Sequence, residues 1–248
     1  MSCCDAWLES RRQGQAVAEE RHRILVAMAH PGDVEYSCAA AVAQWISEGC
    51  DVRYLLGTRG EAGMDTPEWP PERTARTREV EQRCAADIVG VNRVEFLNHS
   101  DGRILYGESL RRDLARVIRR VRPHRIVTLN YDLNIGARHM NQADHRAFGL
   151  AVLDATRDAA ARWIFPELLN EGLEPWGGVK EVYVAATADR DMVVEVSGEC
   201  VDRAVQALRT HESYIGDLDA DGQVRTRARE MGREACYEYA VNFRVIEL

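Results

Sequence analysis

An unbroken apolar run, RILVAM, ends in a loop that carries His30, Asp33 and Glu35, and this segment, Arg23 to Glu35, constrains the chain most. A run with no polar alternation reads as a central strand of a parallel sheet, covered on both faces. Strands of that kind deliver their following loop to the crevice at the carboxyl ends, where open α/β sheets bind ligands. His30 and Asp33 therefore fall where chemistry is expected.

The rest of the chain repeats the same alternation. The segments expected as helices are Tyr36–Ser47, Arg73–Val89, Ser109–Val121 and the stretch opening at Asn141, followed by Gly198–Tyr214 and Val224–Tyr239. Between them lie expected strands at Asp51–Thr58, Val94–Leu97, Arg125–Leu129, Val182–Thr187 and Met192–Val196. Strands alternating with helices imply right-handed crossovers and a Rossmann-like three-layer α/β sandwich with a mostly parallel central sheet. No boundary divides residues 21–248, which read as one domain behind an N-terminal arm, 1–20. Asn141 is the expected N-cap of its helix, with Asp144 three residues on. That register puts His145 in the first turn, on the same side as Phe148, Ala151, Val152 and Ala155, and so toward the crevice.

The 248 residues, 46% of them apolar, can bury one sizeable core, and a formal charge of -8 argues against a nucleic-acid binder or an anionic-membrane binder. The basic stretch Arg111 to Arg125 reads as the solvated face of an amphipathic helix. No window is long and apolar enough to span a bilayer, and the mixed charges of the arm do not resemble a signal peptide. Seven scattered cysteines without a C-x-x-C pair imply reduced thiols and a cytoplasmic location.

His30, Asp33 and His145 supply nitrogen and oxygen donors suited to zinc, with a fourth position left open as in catalytic sites. Zinc so held lowers the pKa of water to about 7 and polarises a carbonyl, which is the chemistry of amide or ester hydrolysis. On spacing alone the signal is modest, because H-x-x-D is short, and Asp33 as a loop cap with His145 as a packed core residue is the plainer alternative.

Several motifs in order extend this reading: AHPGDVE, TRGEAG at Thr58–Gly63, Arg78 with Glu81, SDG at Ser100–Gly102, ADHRAFG at Ala143–Gly149 and ALRTHES at Ala207–Ser213. In this series the chain resembles the PIG-L/LmbE-like family of zinc-dependent de-N-acetylases, which act on N-acetylglucosaminyl and related conjugates. The resemblance implies zinc held by His30, Asp33 and His145, a small N-acyl amino sugar or conjugate as partner, and Arg78 and Asp101 as substrate contacts. Their plainer alternatives are an ion pair of Arg78 with Glu81 and a turn-forming Asp-Gly. The resemblance also implies a homo-oligomer, a loop-ordering role for Glu61 and a core or supporting role for His211.

The chain departs from the family pattern at the reacting centre. The family's general-base aspartate is replaced by Gly32, and positioned acid–base catalysis is typically worth about 10²–10⁴ in rate. Gln142 replaces a histidine that stabilises the oxyanion with help from Asp144; an amide still donates a hydrogen bond but brings no charge. Val241 stands where a glutamate is common. Three outcomes compete: a hydrolase in which Glu35, Asp144 or a substrate group replaces the base or none is needed, a metal-binding relative that holds a ligand without turnover, and a single substitution in an otherwise competent enzyme. A nucleotide-binding Rossmann enzyme is disfavoured because the first βα loop lacks G-x-G-x-x-G, and a serine hydrolase because no G-x-S-x-G elbow occurs.

Overall fold

A computed structural model describes residues 21–135, 139–188 and 191–248; the expected arm, 1–20, with Cys3 and Cys4, lies outside them. The apolar run forms strand β1 (Arg23–Met28), buried at every position after Arg23. It is followed by helices α1 (Asp33–Ser37) and α2 (Ala39–Ser47), strand β2 (Asp51–Leu56), helix α3 (Pro71–Val89), strand β3 (Val94–Phe96), helix α4 (Glu108–Val121) and strand β4 (Arg125–Leu129). A short hairpin, β5 (Asn134–Ile135) and β6 (His139–Met140), precedes helix α5 (Ala143–Ala160) and the single turn α6 (Glu167–Asn170). The chain continues through β7 (Glu181–Ala185), β8 (Met192–Glu195), α7 (Gly198–Arg209), α8 (Glu212–Ile215), a π turn at Gly222–Thr226, α9 (Arg227–Glu234) and β9 (Ala240–Glu247).

The main sheet runs β3-β2-β1-β4-β7-β9-β8. Its first five strands are parallel, with Ile24 opposite both Val52 and Arg125, so β1 is central, as an unbroken apolar run requires. Chain direction across the sheet reverses between β1 and β4, and the loops leaving those two strands diverge to form a crevice. Helices α4 and α5 pack together on one face, and α2, α3 and α7 on the other. The three-layer sandwich is thus as expected, and among the described residues no helix is long and apolar enough to cross a membrane.

Four local expectations are corrected. The helix expected from Tyr36 to Ser47 begins at Asp33 and breaks at Cys38, whose extended φ of -148° interrupts it, while Ser37 Oγ turns back onto the carbonyl of Asp33 at 2.5 Å. The helix expected over 198–214 stops at Arg209, because His211 is drawn into the interior. The helix expected over 224–239 is a π turn and α9 only, and its end leads into β9, an unforeseen strand that joins antiparallel to β7 and β8. The basic stretch is solvated at Arg111, Arg116 and Arg120, which pair with Asp158, Glu171 and Glu95, but Arg119 is buried and donates to the carbonyls of Ala159, Ala161 and Ile164 near the end of α5.

Candidate metal centre

Two loops at the switch point build the site. The first leaves β1 and turns at Gly32, so that His30 and Asp33 stand side by side; the backbone N–H of His30 donates to Asp33 Oδ2 at 2.7 Å. The second leaves β4 and enters α5, bringing in His145 from the first helical turn. His30 Nδ1 lies 3.2 Å from His145 Nε2, His145 Nε2 lies 3.3 Å from Asp33 Oδ1, and His30 Nδ1 lies 3.5 Å from Asp33 Oδ2. Ligand atoms about 2.0–2.1 Å from one tetrahedral ion lie about 3.3 Å from each other, so the three groups are spaced as a zinc ligand set is.

The protonation of both rings follows from their outer contacts. Asn141 Nδ2 donates to the carbonyls of Asn130 and Asp132, which leaves its Oδ1 as the acceptor facing His145 Nδ1 at 3.1 Å. His145 Nδ1 therefore carries a hydrogen, and its Nε2 lone pair faces the centre. On the other ring, His30 Nε2 meets Asp101 Oδ1 at 3.0 Å and Asp144 Oδ2 at 3.1 Å, two acceptors, so Nδ1 is the nitrogen turned to the centre. A carboxylate or carbonyl behind each imidazole is the usual support of a metal-ligating histidine. His30 with Asp101 and Asp144 forms a second close group, but their oxygens are already taken: Gly102 N and Ile104 N donate to Asp144, and Ala62 N to Asp101. The first group is the one with donors to spare.

The helix does not take Asn141 as its expected N-cap. Gln142, not Asn141, is the residue before the first turn, and no side chain caps the helix; Asn141 is used instead to hold His145 and to accept from the Gln142 N–H at 2.9 Å.

A cavity of 560 Å³ opens over the centre, lined by His30, Asp33 and His145 together with Gly32, Arg78, Asp101 and Gln142. Gln142 is exposed at its wall. Gly32 adopts φ +93°, ψ -25°, and a Cβ on it would meet only the Tyr36 ring, at 4.0 Å. The ion pair of Arg78 with Glu81 does not form. Arg78 is buried, donates to the carbonyls of Gly60 (3.0 Å) and Pro31 (2.8 Å) and stacks on Tyr214 at 4.4 Å, while Glu81 accepts from Ser213. Asp101 opens the turn at Gly102, and its N–H donates to Glu61 at 2.8 Å, the loop-ordering contact expected of Glu61.

Neither carboxylate considered as a substitute base is available to the cavity. Glu35 has no exposed side-chain surface and is bonded to Gln82 and His211. Asp144 is buried and taken by two backbone N–H groups and His30. Gln82 and Asn141 are not legible as site residues in the sequence, because an amide far along the chain or at a helix start carries no metal-ligand signal of its own.

These features define a class: a Rossmann-like α/β sandwich with a His/Asp/His group at the carboxyl ends of β1 and β4, under an open cavity. The PIG-L family model, described as GlcNAc-PI de-N-acetylase, matches residues 25–156, and the chain belongs to that family. A diacetylchitobiose deacetylase from Thermococcus kodakarensis is 26% identical across 90% of this chain and 83% of its own. A 1D-myo-inositol 2-acetamido-2-deoxy-alpha-D-glucopyranoside deacetylase from Mycolicibacterium vanbaalenii is 29% identical across 82% of this chain and 84% of its own. The structure of N,N'-diacetylchitobiose deacetylase from Pyrococcus horikoshii has the same fold, with a TM-score of 0.82 at 20% identity over 100% of this chain and 94% of that one.

Proposed function

We propose that the chain is a zinc-dependent de-N-acetylase acting in the cytoplasm on an N-acetylated amino sugar or a related small conjugate, with its rate limited by the glycine at position 32. The observation that carries this reading is the convergence of His30 Nδ1, His145 Nε2 and the Asp33 carboxylate at the floor of an open cavity, spaced as one ion requires. Zinc held by these three residues would polarise an amide carbonyl and lower the pKa of water. The sugar deacetylases among the relatives support an N-acetylated sugar as substrate.

The chain's own residues supply the rest. Gln142 offers a neutral N–H from the cavity wall to the oxygen that gains charge. Arg78 and Asp101 form the polar wall against which the hydroxyls of a sugar would be held. At position 32 nothing can take up or return a proton, and the engagement of Glu35 and Asp144 leaves neither to replace it. Turnover should therefore fall by a factor of about 10²–10⁴ from that of an enzyme with a placed base.

The test uses purified protein loaded with zinc. Bound metal is measured by elemental analysis and acetate release from N,N'-diacetylchitobiose is followed, with Asp33→Asn as the control. About one zinc per chain and slow acetate release abolished by Asp33→Asn are the expected results. Zinc without acetate release from any N-acetyl sugar would make the chain a metal-binding, ligand-holding relative, and absence of zinc would overturn the proposal.

A further inference from the structure

Beneath the first metal loop, three buried polar side chains are joined in a row that the proposed chemistry does not use. Gln82 Oε1 accepts from the backbone N–H of Gly32 at 2.7 Å, Gln82 Nε2 donates to Glu35 Oε1 at 3.1 Å, and His211 Nε2 lies 3.3 Å from Glu35 Oε2. Gln82 and His211 are 0% exposed and Glu35 is 2% exposed. Burying a carboxylate and an imidazole costs more than filling the same volume with apolar side chains, so packing alone is a poor reason for them.

The row fixes an orientation. An amide side chain can flip, exchanging its acceptor for its donor. Glu35 accepts from Gln82 Nε2, and this holds Gln82 Oε1 toward Gly32; a flipped amide would set N–H against N–H. His211 holds Glu35 in turn, from the break between α7 and α8, and its Nδ1 is buried without a hydrogen-bond partner. Arg78, one turn before Gln82 on α3, donates to the carbonyl of Pro31. One peptide unit, Pro31–Gly32, is therefore gripped at both ends by residues four apart on one helix. That peptide is the link in the chain between His30 and Asp33.

We infer that Gln82, Glu35 and His211 are positioning residues of the metal centre. They set the rotation of the Pro31–Gly32 peptide, and with it the spacing of the His30 and Asp33 donor atoms; this rests on those two residues and His145 being the metal ligands.

The experiment measures zinc dissociation constants of the full chain by competition with a chromophoric chelator, alongside the melting temperature of each metal-free protein. Gln82→Met keeps the volume and removes both hydrogen bonds. His211→Gln keeps an N–H near the place of Nε2, whereas His211→Asn carries its amide only as far as Nδ1 and loses Glu35. Gln82→Met should weaken zinc binding by about 10–100-fold and His211→Asn by about tenfold, with His211→Gln within about threefold of wild type. A purely structural role would lower melting temperatures and leave the affinity of the folded protein alone. Equal affinities for wild type and folded Gln82→Met overturn the inference. Should Gln82→Met not fold, equal affinities for His211→Asn and His211→Gln overturn it. A wild-type chain that takes up no zinc removes the ligand reading itself, whereas tight zinc binding that is indifferent to these variants removes only the positioning.

Discussion

His30 Nδ1 and His145 Nε2 face each other at 3.2 Å while the outer nitrogen of each ring is committed to its own acceptors. Two bare lone pairs at that distance repel, so a proton or a cation must lie between them. In the metal-free chain His30 carries the proton. Burial alone would lower its pKa, but hydrogen bonds to Asp101, Asp144 and Asp33 outweigh that and push it up to about 12. Burial likewise opposes ionisation of Asp33, and His145 and His30 overcome it, holding that carboxyl well below its usual range.

A metal ion must displace the His30 proton, because only the neutral ring is a ligand. Zinc uptake near pH 7 should release about one proton, and affinity should rise about tenfold per pH unit between roughly pH 6 and 9. Titration calorimetry in two buffers of different ionisation heat reads this proton directly, and an affinity that is flat across the range contradicts it. The metal-free fold responds in the opposite sense. The raised His30 pKa contributes stability that is whole below the ordinary value of 6.5 and is lost as pH climbs toward about 12, whereas the contribution of Asp33 is present above the ordinary carboxylate range and is lost as pH falls below it.

Arg78 ties two loops together through one planar group. Its Nη1 reaches Gly60 O and its Nη2 reaches Pro31 O, and a Cβ on Gly60 or Gly63 would fall 2.5 or 2.2 Å from Nη1. The TRGEAG loop thus needs glycines where its backbone closes on the guanidinium. Lysine offers a single point charge and cannot span both carbonyls. Arg78→Lys should cost about 1–3 kcal/mol, the penalty of leaving a buried carbonyl unpaired. Urea unfolding of the metal-free protein measures it; a change within error would mean that water satisfies the freed carbonyl.

Gly149 lets α5 lie directly on β4. A Cβ there would come 2.6 Å from the carbonyl oxygen of Leu129, which is backbone and cannot turn aside. Gly149→Ala must push the helix outward, and overpacking of this kind costs about 1–3 kcal/mol. His145 lies one turn away on the same helix, so weaker zinc binding should accompany the lower stability. Chemical denaturation and chelator competition on the same preparation test the two effects together.

The sequence carried the sheet further than it carried the site. The apolar run of β1, the glycine and proline breaks and the helical periodicity of α3, α4 and α5 report burial that is local in the chain, so the order β1 to β4 was legible. Strand β9 was not, because Val241 and Phe243 are buried by partners distant in the chain, β7 and β8, and not by a neighbouring strand–helix unit. His30, Asp33 and His145 were legible as residue types in motif order. The contacts behind them were not: Asn141, Gln82 and Glu35 act over separations from 4 to 176 residues, and an amide or a buried acid announces nothing locally. Glu35 in particular reads as a spare base from sequence, and only its burial under the loop removes it from the cavity.

The surroundings of position 32 decide whether a carboxylate can be placed there. The direction in which a side chain would leave Gly32 is open, with only the Tyr36 ring at 4.0 Å, and it lies on the cavity wall over the metal group. The cost is conformational: φ is +93°, where an L side chain is strained by about 1–2 kcal/mol. Gly32→Asp should therefore lower stability by about that amount and still raise amide hydrolysis by at least about tenfold, since a placed base is worth about 10²–10⁴. Gln142→His, on the lining of the same cavity, acts on the same transition state, supplying charge to the oxyanion. With no base to start the reaction, that charge has little to stabilise, so Gln142→His alone should leave turnover nearly unchanged. Added to Gly32→Asp it should bring a further gain, and the two effects should not be additive. A double-mutant cycle of kcat/KM on N,N'-diacetylchitobiose, with zinc content verified for all four proteins, reads that coupling. Equal gains from Gln142→His with glycine or aspartate at position 32 would show that the two positions act independently, and an unchanged rate in Gly32→Asp would show that the held peptide points the new carboxylate away from the reacting centre.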